Sequence, residues 1–320
     1  MKKILLLLML VMSVSIMTSC VTEAPERDVF VTVYPLQYVV EEIFQGTEYT
    51  VGMVPGISAH NEAIDWSPKE IIAMMDATLL FYVGANFDTY IDSQISQIFT
   101  DANVELVKAE NTLVEFIPGL YHDHDVNEHS QEEIDAEEML GTDPHFWISP
   151  KRMITVAGNV YLKLQSKFPG NEETFTENYN NLMTDLADLD AAFTEVIAAA
   201  VRPVMTATNL YSYLSSDYAL EYIPISPGYH EETDQFTTQQ KEAVVNEAVE
   251  HNITNILFER NSSSPLSNAV LASLVSLGYN VSKLEYTIMD TLTKDDINNN
   301  RNYLSIMYDN LDMIQSATSD

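Results

Sequence analysis

Two histidines stand in sequence contexts that suit metal binding. His60 lies in the segment GISAHNE, residues 56–62, and His145 lies in the segment DPHFWISP, residues 143–150. A neutral imidazole is a common ligand of zinc and other divalent transition ions. A lone histidine is more often structural, but both of these lie in loops expected at the mouth of a sheet, where α/β proteins bind ligands. This placement makes His60 and His145 candidate metal ligands.

A second group of metal-binding residue types lies between positions 121 and 143. This segment holds nine acidic residues, no lysine or arginine, and three histidines, which are His122, His124 and His129. It has little apolar surface to bury, so we expect a mobile loop. Imidazoles among carboxylates form weak, exchangeable metal sites, and a merely solvated acidic loop is the alternative.

The N-terminus predicts export and lipid anchoring. Lys2 and Lys3 precede an apolar run from Ile4 to Met12, which is too short to remain as a membrane span. The only cysteine of the chain, Cys20, follows small residues that resemble a bacterial lipobox. This resemblance implies cleavage before Cys20 and lipidation of its sulfur, with plain secretion as the alternative. We expect an extracytoplasmic protein that is lipid-anchored to the cell membrane.

The charge of the chain excludes one class of partner. Fifteen basic and 48 acidic residues give a formal net charge of −33. Such a surface repels phosphate backbones, so we expect no nucleic-acid binding. The same charge attracts cations.

The elements that would position the histidines occur in two similar halves. Within 320 residues, eight strands are predicted, over 29–33, 49–54, 79–83, 104–107, 202–207, 220–225, 253–258 and 280–284. Helical patterns alternate with these strands, and this alternation indicates parallel sheets built from βαβ units. One of the predicted helices lies around 90–99, and the last runs from about 298 to 316. Between the halves, apolar residues recur every three or four positions within 171–200, which predicts one long linking helix. The expected fold is α/β, with two lobes that each contain a four-stranded parallel sheet flanked by helices.

Several motifs in this order resemble the ZnuA/TroA-like (cluster A-I) metal-binding lipoproteins of zinc and manganese ABC importers. Asp143-Pro144-His145-Phe146-Trp147 is the most specific match. The other matching segments are Val33-Tyr34-Pro35-Leu36, Trp66-Ser67-Pro68-Lys69, Asn178-Tyr179, Phe258-Glu259, Leu284-Glu285 and Tyr303-Leu304. The resemblance implies a metal cleft between two lobes and delivery of the cation to a membrane permease.

The resemblance also implies which residues bind the metal. Carried over position by position, it gives His60 and His145 as ligands from the first lobe and Glu285 from the second. The remaining ligand position, which the family fills with histidine or glutamate, holds Thr208. A neutral hydroxyl is a poor zinc ligand.

Three explanations of Thr208 stay open. His230 supplies the missing nitrogen, or a water is held by Thr208 or Asn209, or the site is impaired. Glu259 is also expected at the cleft, in a supporting or inter-lobe role.

The resulting prediction is a monomeric solute-binding lipoprotein that captures Zn2+. Mn2+ is the alternative cation, and a fold-retaining adhesive or structural lipoprotein with an impaired site is the alternative function. A zinc hydrolase is disfavoured because the chain lacks H-E-x-x-H and P-loop motifs, so we expect no enzyme.

The predicted organisation is a signal peptide over 1–19, a tether over 20–27, a first lobe over 28–170, the linking helix over 171–200 and a second lobe over 201–320.

Overall fold

Two four-stranded parallel sheets form the framework of the chain. The computed structural model describes residues 26–57, 64–100, 102–119, 141–229 and 237–319. The first sheet contains β1 Val29–Val31, β2 Val51–Met53, β3 Leu79–Tyr82 and β4 Glu105–Lys108. The second contains β5 Val204–Thr206, β6 Tyr222–Pro224, β7 Asn255–Glu259 and β8 Ser282–Tyr286. The strand orders β2-β1-β3-β4 and β6-β5-β7-β8 are equivalent, which confirms the predicted pair of similar α/β halves.

Helices cover these sheets and join them. In the first half they are α1 Tyr34–Phe44, α2 Pro68–Asp76, α3 Thr89–Asp92 and α4 Pro150–Lys167. A long helix, α5 Glu172–Ala198, lies between the halves in the chain. In the second half they are α6 Ser212–Tyr218, α7 Thr238–Glu250, α8 Pro265–Ser276, α9 Lys294–Asn298 and α10 Tyr303–Thr318. Within the described ranges, no helix is both long and apolar enough to cross a membrane.

Local sequence signals explain where several helices begin. The Ser67 hydroxyl accepts from the backbone N–H of Glu70, and the Glu70 carboxylate accepts from the N–H of Ser67, which forms a capping box at α2. A short 3₁₀ turn over Phe146–Ile148 leads into α4, which Ser149 caps, with Pro150 at the first helical residue. These local signals fix the direction of the chain immediately after the metal-binding motif.

Helix α5 packs against both halves. It contacts α1 and α4 from the first half and α10 from the second. Its buried face carries Leu182, Leu186, Leu189 and Phe193, at the spacing typical of an amphipathic helix. These side chains belong to one continuous apolar core that also includes residues of both sheets. The halves are therefore joined by a packed helix rather than by an extended linker.

Two helical segments differ from expectation. The predicted helix around 90–99 is the short α3 followed by a π-helical turn over Ile95–Phe99. The last helix is predicted to start near 298, but α9 ends there and α10 starts at Tyr303. Asn300 has a φ of 51°, in the left-handed region, so the chain turns between the two helices.

Candidate metal centre

A cavity of about 270 Å³ lies where the second sheet faces the first half of the chain. It is lined by His145 from the first half and by Thr208, Tyr229, Glu259 and Asp290 from the second, among others. Thr208 follows β5, Glu259 is the last residue of β7, and Asp290 follows β8. The cavity therefore lies at the carboxyl ends of parallel strands, as expected for a ligand site in an α/β fold.

The His145 ring is buried and oriented by a carboxylate. Only 1% of the residue is exposed, and its Nδ1 lies 2.9 Å from Oδ1 of the buried Asp143. The same oxygen accepts from the backbone N–H of His145 at 2.9 Å. Because a carboxylate only accepts, Nδ1 carries the hydrogen, so in the neutral form of the ring Nε2 has the lone pair that a metal ion needs.

Three aromatic rings fix the plane of His145. Phe87, Trp147 and Tyr229 lie with their ring centroids 6.1, 5.4 and 5.2 Å from the imidazole centroid. All three pairs are edge-on, which is a favoured geometry for aromatic contacts. Tyr229 comes from the second half, so His145 lies at the boundary between the halves.

Thr208 and Glu259 form a buried pair on the side of the second half. The residues are 2% and 6% exposed, and the Thr208 hydroxyl donates to Glu259 Oε1 at 2.7 Å. Glu259 thus lies at the cavity, as expected. Thr208 lines the cavity as well, but its hydroxyl proton is directed to the carboxylate.

Asp290 is a cavity acid that the sequence motifs do not identify. It is buried, and this burial raises the pKa of its carboxyl, while the nearby His145 acts to lower it. Its backbone carbonyl accepts from the N–H of Tyr34, in the first half, at 2.8 Å. Asp290 lies in the loop after the last strand rather than within that strand. This position is the sequence signal that could have identified it.

Glu285 does not line the cavity, so its assignment as a ligand is corrected by this structure. It lies within the edge strand β8, one residue before the buried Tyr286, and the pleat turns its side chain to the solvent. Its side chain is 53% exposed and forms an ion pair with Lys283 at 3.1 Å. The chain brings an acid to the cavity only five residues later, at Asp290.

The other predicted site residues lie outside the described residues. They are His60, His230, the three histidines of the acidic segment, His122, His124 and His129, and the lipidation candidate Cys20. Among the residues that the structure describes, no three histidine, cysteine or acidic side chains converge closely enough to hold an ion. The cavity lining nevertheless includes the oriented imidazole of His145 and the carboxylates of Glu259 and Asp290, although these three groups do not converge on one point.

These donors define the chemistry that the cavity supports. An imidazole nitrogen together with carboxylate oxygens suits a divalent transition ion, with zinc favoured by added nitrogen and manganese by added oxygen. The cavity is lined by the carboxylates of Glu259 and Asp290 and by Arg260, whose guanidinium is paired with the carboxylate of Asp296. Because that pairing balances the charge of Arg260, the two remaining carboxylates favour a cation over an anionic ligand.

Solved structures share this fold. The Zn(II)-bound ZnuA-like domain of Streptococcus pneumoniae AdcA gives a TM-score of 0.70 at 23% identity, covering 92% of this chain and 100% of that domain. The periplasmic zinc-binding protein TroA of Treponema pallidum gives a TM-score of 0.69 at 18% identity, with coverages of 92% and 100%. The architecture of two similar lobes therefore has direct counterparts among known structures.

Sequence comparison points to the same group of proteins. The zinc-binding lipoprotein AdcA of S. pneumoniae R6 is 25% identical over 293 residues, which cover 91% of this chain and 56% of AdcA. The chain thus spans about half the length of the AdcA relatives. The high-affinity zinc uptake system protein ZnuA of Bacillus subtilis is 24% identical over 298 residues, covering 90% of this chain and 86% of that protein. The profile of the ZnuA family, described as zinc-uptake complex component A, periplasmic, matches residues 29–317, and the chain belongs to this family.

Proposed function

We propose that this protein is an extracytoplasmic solute-binding lipoprotein that captures Zn2+ and delivers it to the permease of an ABC importer. One observation carries the proposal: the buried His145, oriented by Asp143, lines the same cavity as Asp290 and Glu259 of the other half. The names of the AdcA and ZnuA relatives support zinc as the cargo, and neither is named as an enzyme.

The proposed ligand set combines both halves. His145 and Asp290 are the ligands that line the cavity, and His60 and His230 are the further imidazoles that we propose from the sequence. Three nitrogens and one carboxylate would give zinc a tetrahedral set. Thr208 then supports the site by holding Glu259 rather than by binding the ion.

Manganese is the second candidate cargo. The described part of the cavity carries two carboxylates, Glu259 and Asp290, for one imidazole. Oxygen-rich sets suit Mn2+ better than Zn2+. Manganese becomes the favoured cargo if Glu259, rather than His230, completes the ligand set.

The remaining features of the chain are assigned by the same proposal. Residues 1–19 serve as a signal peptide, Cys20 carries the lipid anchor, and 20–27 tether a monomer to the membrane. The lobes comprise 28–170 and 201–320, joined by 171–200. The auxiliary, weakly binding metal segment contains His122, His124 and His129. The family's description as a component of a zinc-uptake complex supports binding of the loaded protein to a permease.

A competition titration with a chelating dye tests the cargo. We expect the purified chain, without its signal peptide, to bind Zn2+ with a dissociation constant well below micromolar, and the His145→Ala variant to lose about a hundredfold in affinity. The matched control is His251→Ala, which removes an exposed histidine at the end of α7 and should leave affinity unchanged. A wild-type protein that binds neither Zn2+ nor Mn2+ more tightly than micromolar contradicts the proposal and would support the fold-retaining structural lipoprotein.

A further inference from the structure

One side chain contacts the segments of both cavity ligands. Trp147 is fully buried, and its ring lies edge-on to the His145 ring with the centroids 5.4 Å apart. Its Nε1–H donates to the backbone carbonyl of Ile288 at 2.8 Å. Ile288 belongs to the second half and precedes Asp290 by two residues. Trp147 therefore connects the His145 segment with the loop that carries Asp290.

The same loop has a second attachment to the first half. The N–H of Tyr34, at the start of α1, donates to the Asp290 carbonyl at 2.8 Å. Between the two attached carbonyls lies Met289, whose φ of 67° is in the left-handed region that residues with a Cβ rarely occupy. Such a conformation persists only where the surroundings impose it. The contacts to the first half on either side of Met289 are surroundings of this kind.

The second half fixes the beginning of the loop. The Asn310 side-chain amide accepts from the Thr287 N–H at 2.9 Å and donates to the Thr287 carbonyl at 2.8 Å. Asn310 is itself buried in α10. The loop over 287–290 is therefore held by the second half at Thr287 and by the first half at Ile288 and Asp290.

Trp147 is itself held rigidly. The Tyr303 hydroxyl donates to the Trp147 carbonyl at 2.8 Å. The rings of Phe87 and Phe146 lie edge-on to the indole, with centroids 5.5 and 5.3 Å away. A donor fixed in this way can define the position of its acceptor, because neither its rotamer nor its backbone is free to follow a displaced loop.

We propose that Trp147 is a positioning residue of the metal site, whose indole N–H holds the loop over 287–290 so that Asp290 faces the same cation as His145. This inference rests on the proposed function, because the direction of the Asp290 carboxylate matters only if the cavity binds a cation. It makes His145 and Asp290 a preformed pair across the two halves. The halves then need not move relative to each other to bring these two ligands together.

A double-mutant cycle tests the coupling. In the full mature chain, we expect Trp147→Phe to weaken Zn2+ binding about tenfold in a dye competition titration, as is typical when an outer partner of a ligand is lost. In an Asp290→Asn background, the same change is expected to cause no further loss, because the carboxylate it positions is absent. If Trp147 has only a structural role, Trp147→Phe should weaken zinc binding by the same factor in the wild-type chain and in the Asp290→Asn variant.

A second substitution retains the shape of the ring. β-(3-Benzothienyl)alanine installed at position 147 places sulfur where the indole has N–H, so it removes the donor without creating a cavity. We expect it to reproduce the weaker zinc binding of Trp147→Phe. As a matched control, Asn159→Ala removes a side-chain N–H that donates to the Leu113 carbonyl at 2.7 Å, and it should leave zinc affinity unchanged.

The outcomes separate this inference from the proposed function. Wild-type zinc affinity in either position-147 variant, or a Trp147→Phe loss that adds fully to the Asp290→Asn loss, overturns the positioning role alone. If the unmodified chain binds neither Zn2+ nor Mn2+ more tightly than micromolar, both the proposed function and the positioning role are overturned.

Discussion

The Thr208 hydroxyl donates to the Glu259 carboxylate at 2.7 Å, across the ends of the adjacent strands β5 and β7. The family resemblance assigns a metal ligand to position 208, yet here the side chain at that position binds the carboxylate of a neighbouring strand. A neutral hydroxyl in this place supplies no nitrogen donor to the cavity. If the cavity binds the cation as we propose, we expect its preference between Zn2+ and Mn2+ to depend on Glu259.

Thr208→His is expected to raise zinc affinity about tenfold or more, since it adds an imidazole at the position the family uses for a ligand. Manganese affinity should change less, because the added donor is nitrogen rather than oxygen. Parallel dye titrations with Zn2+ and Mn2+ measure both effects. Thr208→Val, which keeps the branched shape and removes the hydroxyl, is the control. A Thr208→His variant no better than wild type for zinc would contradict this prediction.

Much of the fold could be predicted because its signals are local. The strands are short apolar runs, and Ser67 and Ser149 mark helix starts by residue type and spacing. His145 is identifiable because it lies in a motif beside its own orienting partner, Asp143. Each of these features depends on residues within a few positions of one another.

The carboxylate from the second half could not be predicted in the same way. Choosing Glu285 required knowing where β8 ends and which face each side chain takes, and a shift of one residue exchanges the faces. Asp290 reaches the cavity through contacts of its loop with Tyr34 and Trp147, which are far away in the sequence. No local pattern contains those contacts.

Asp290→Asn should lower zinc affinity about a hundredfold, because the amide lacks the charge with which a carboxylate binds a divalent ion. Glu285→Gln is the matched control: it also removes one acidic group near the end of β8, but from an exposed ion pair with Lys283. We expect it to leave affinity within about twofold, since exposed pairs contribute little. If dye titrations show that Glu285→Gln weakens zinc binding more than Asp290→Asn does, Glu285 rather than Asp290 is the ligand.

Asp143→Asn is expected to weaken zinc binding about 10- to 100-fold, the usual effect of losing the carboxylate that orients a ligating histidine. The amide can present its N–H to Nδ1 and so favour the wrong imidazole tautomer. His145→Ala in the same titration sets the upper limit of the loss. If Asp143→Asn binds zinc as wild type does, the orienting role is wrong.

The buried Asp88 predicts a pH dependence of folding stability that is separate from the metal site. Burial raises the pKa of its carboxyl from 3.8 to about 6, although backbone N–H donors, including Gly84 at 3.0 Å, partly offset this effect. Between pH 4 and 6 the folded chain therefore binds more protons at Asp88 than the unfolded chain does. The contribution of Asp88 to the free energy of unfolding must fall as pH rises through this range, by about 3 kcal/mol in all.

Asp88→Asn removes this titration while keeping an acceptor oxygen for the backbone donors. Denaturant unfolding of both proteins at pH 4, 5, 6 and 7 measures the difference, and we expect the variant to gain stability relative to wild type as pH rises. Asp92→Asn is the control, because Asp92 is a partly exposed neighbour paired with Lys108 at 3.6 Å. A difference in stability between wild type and Asp88→Asn that stays constant from pH 4 to 7 would show that folding does not change the protonation of Asp88.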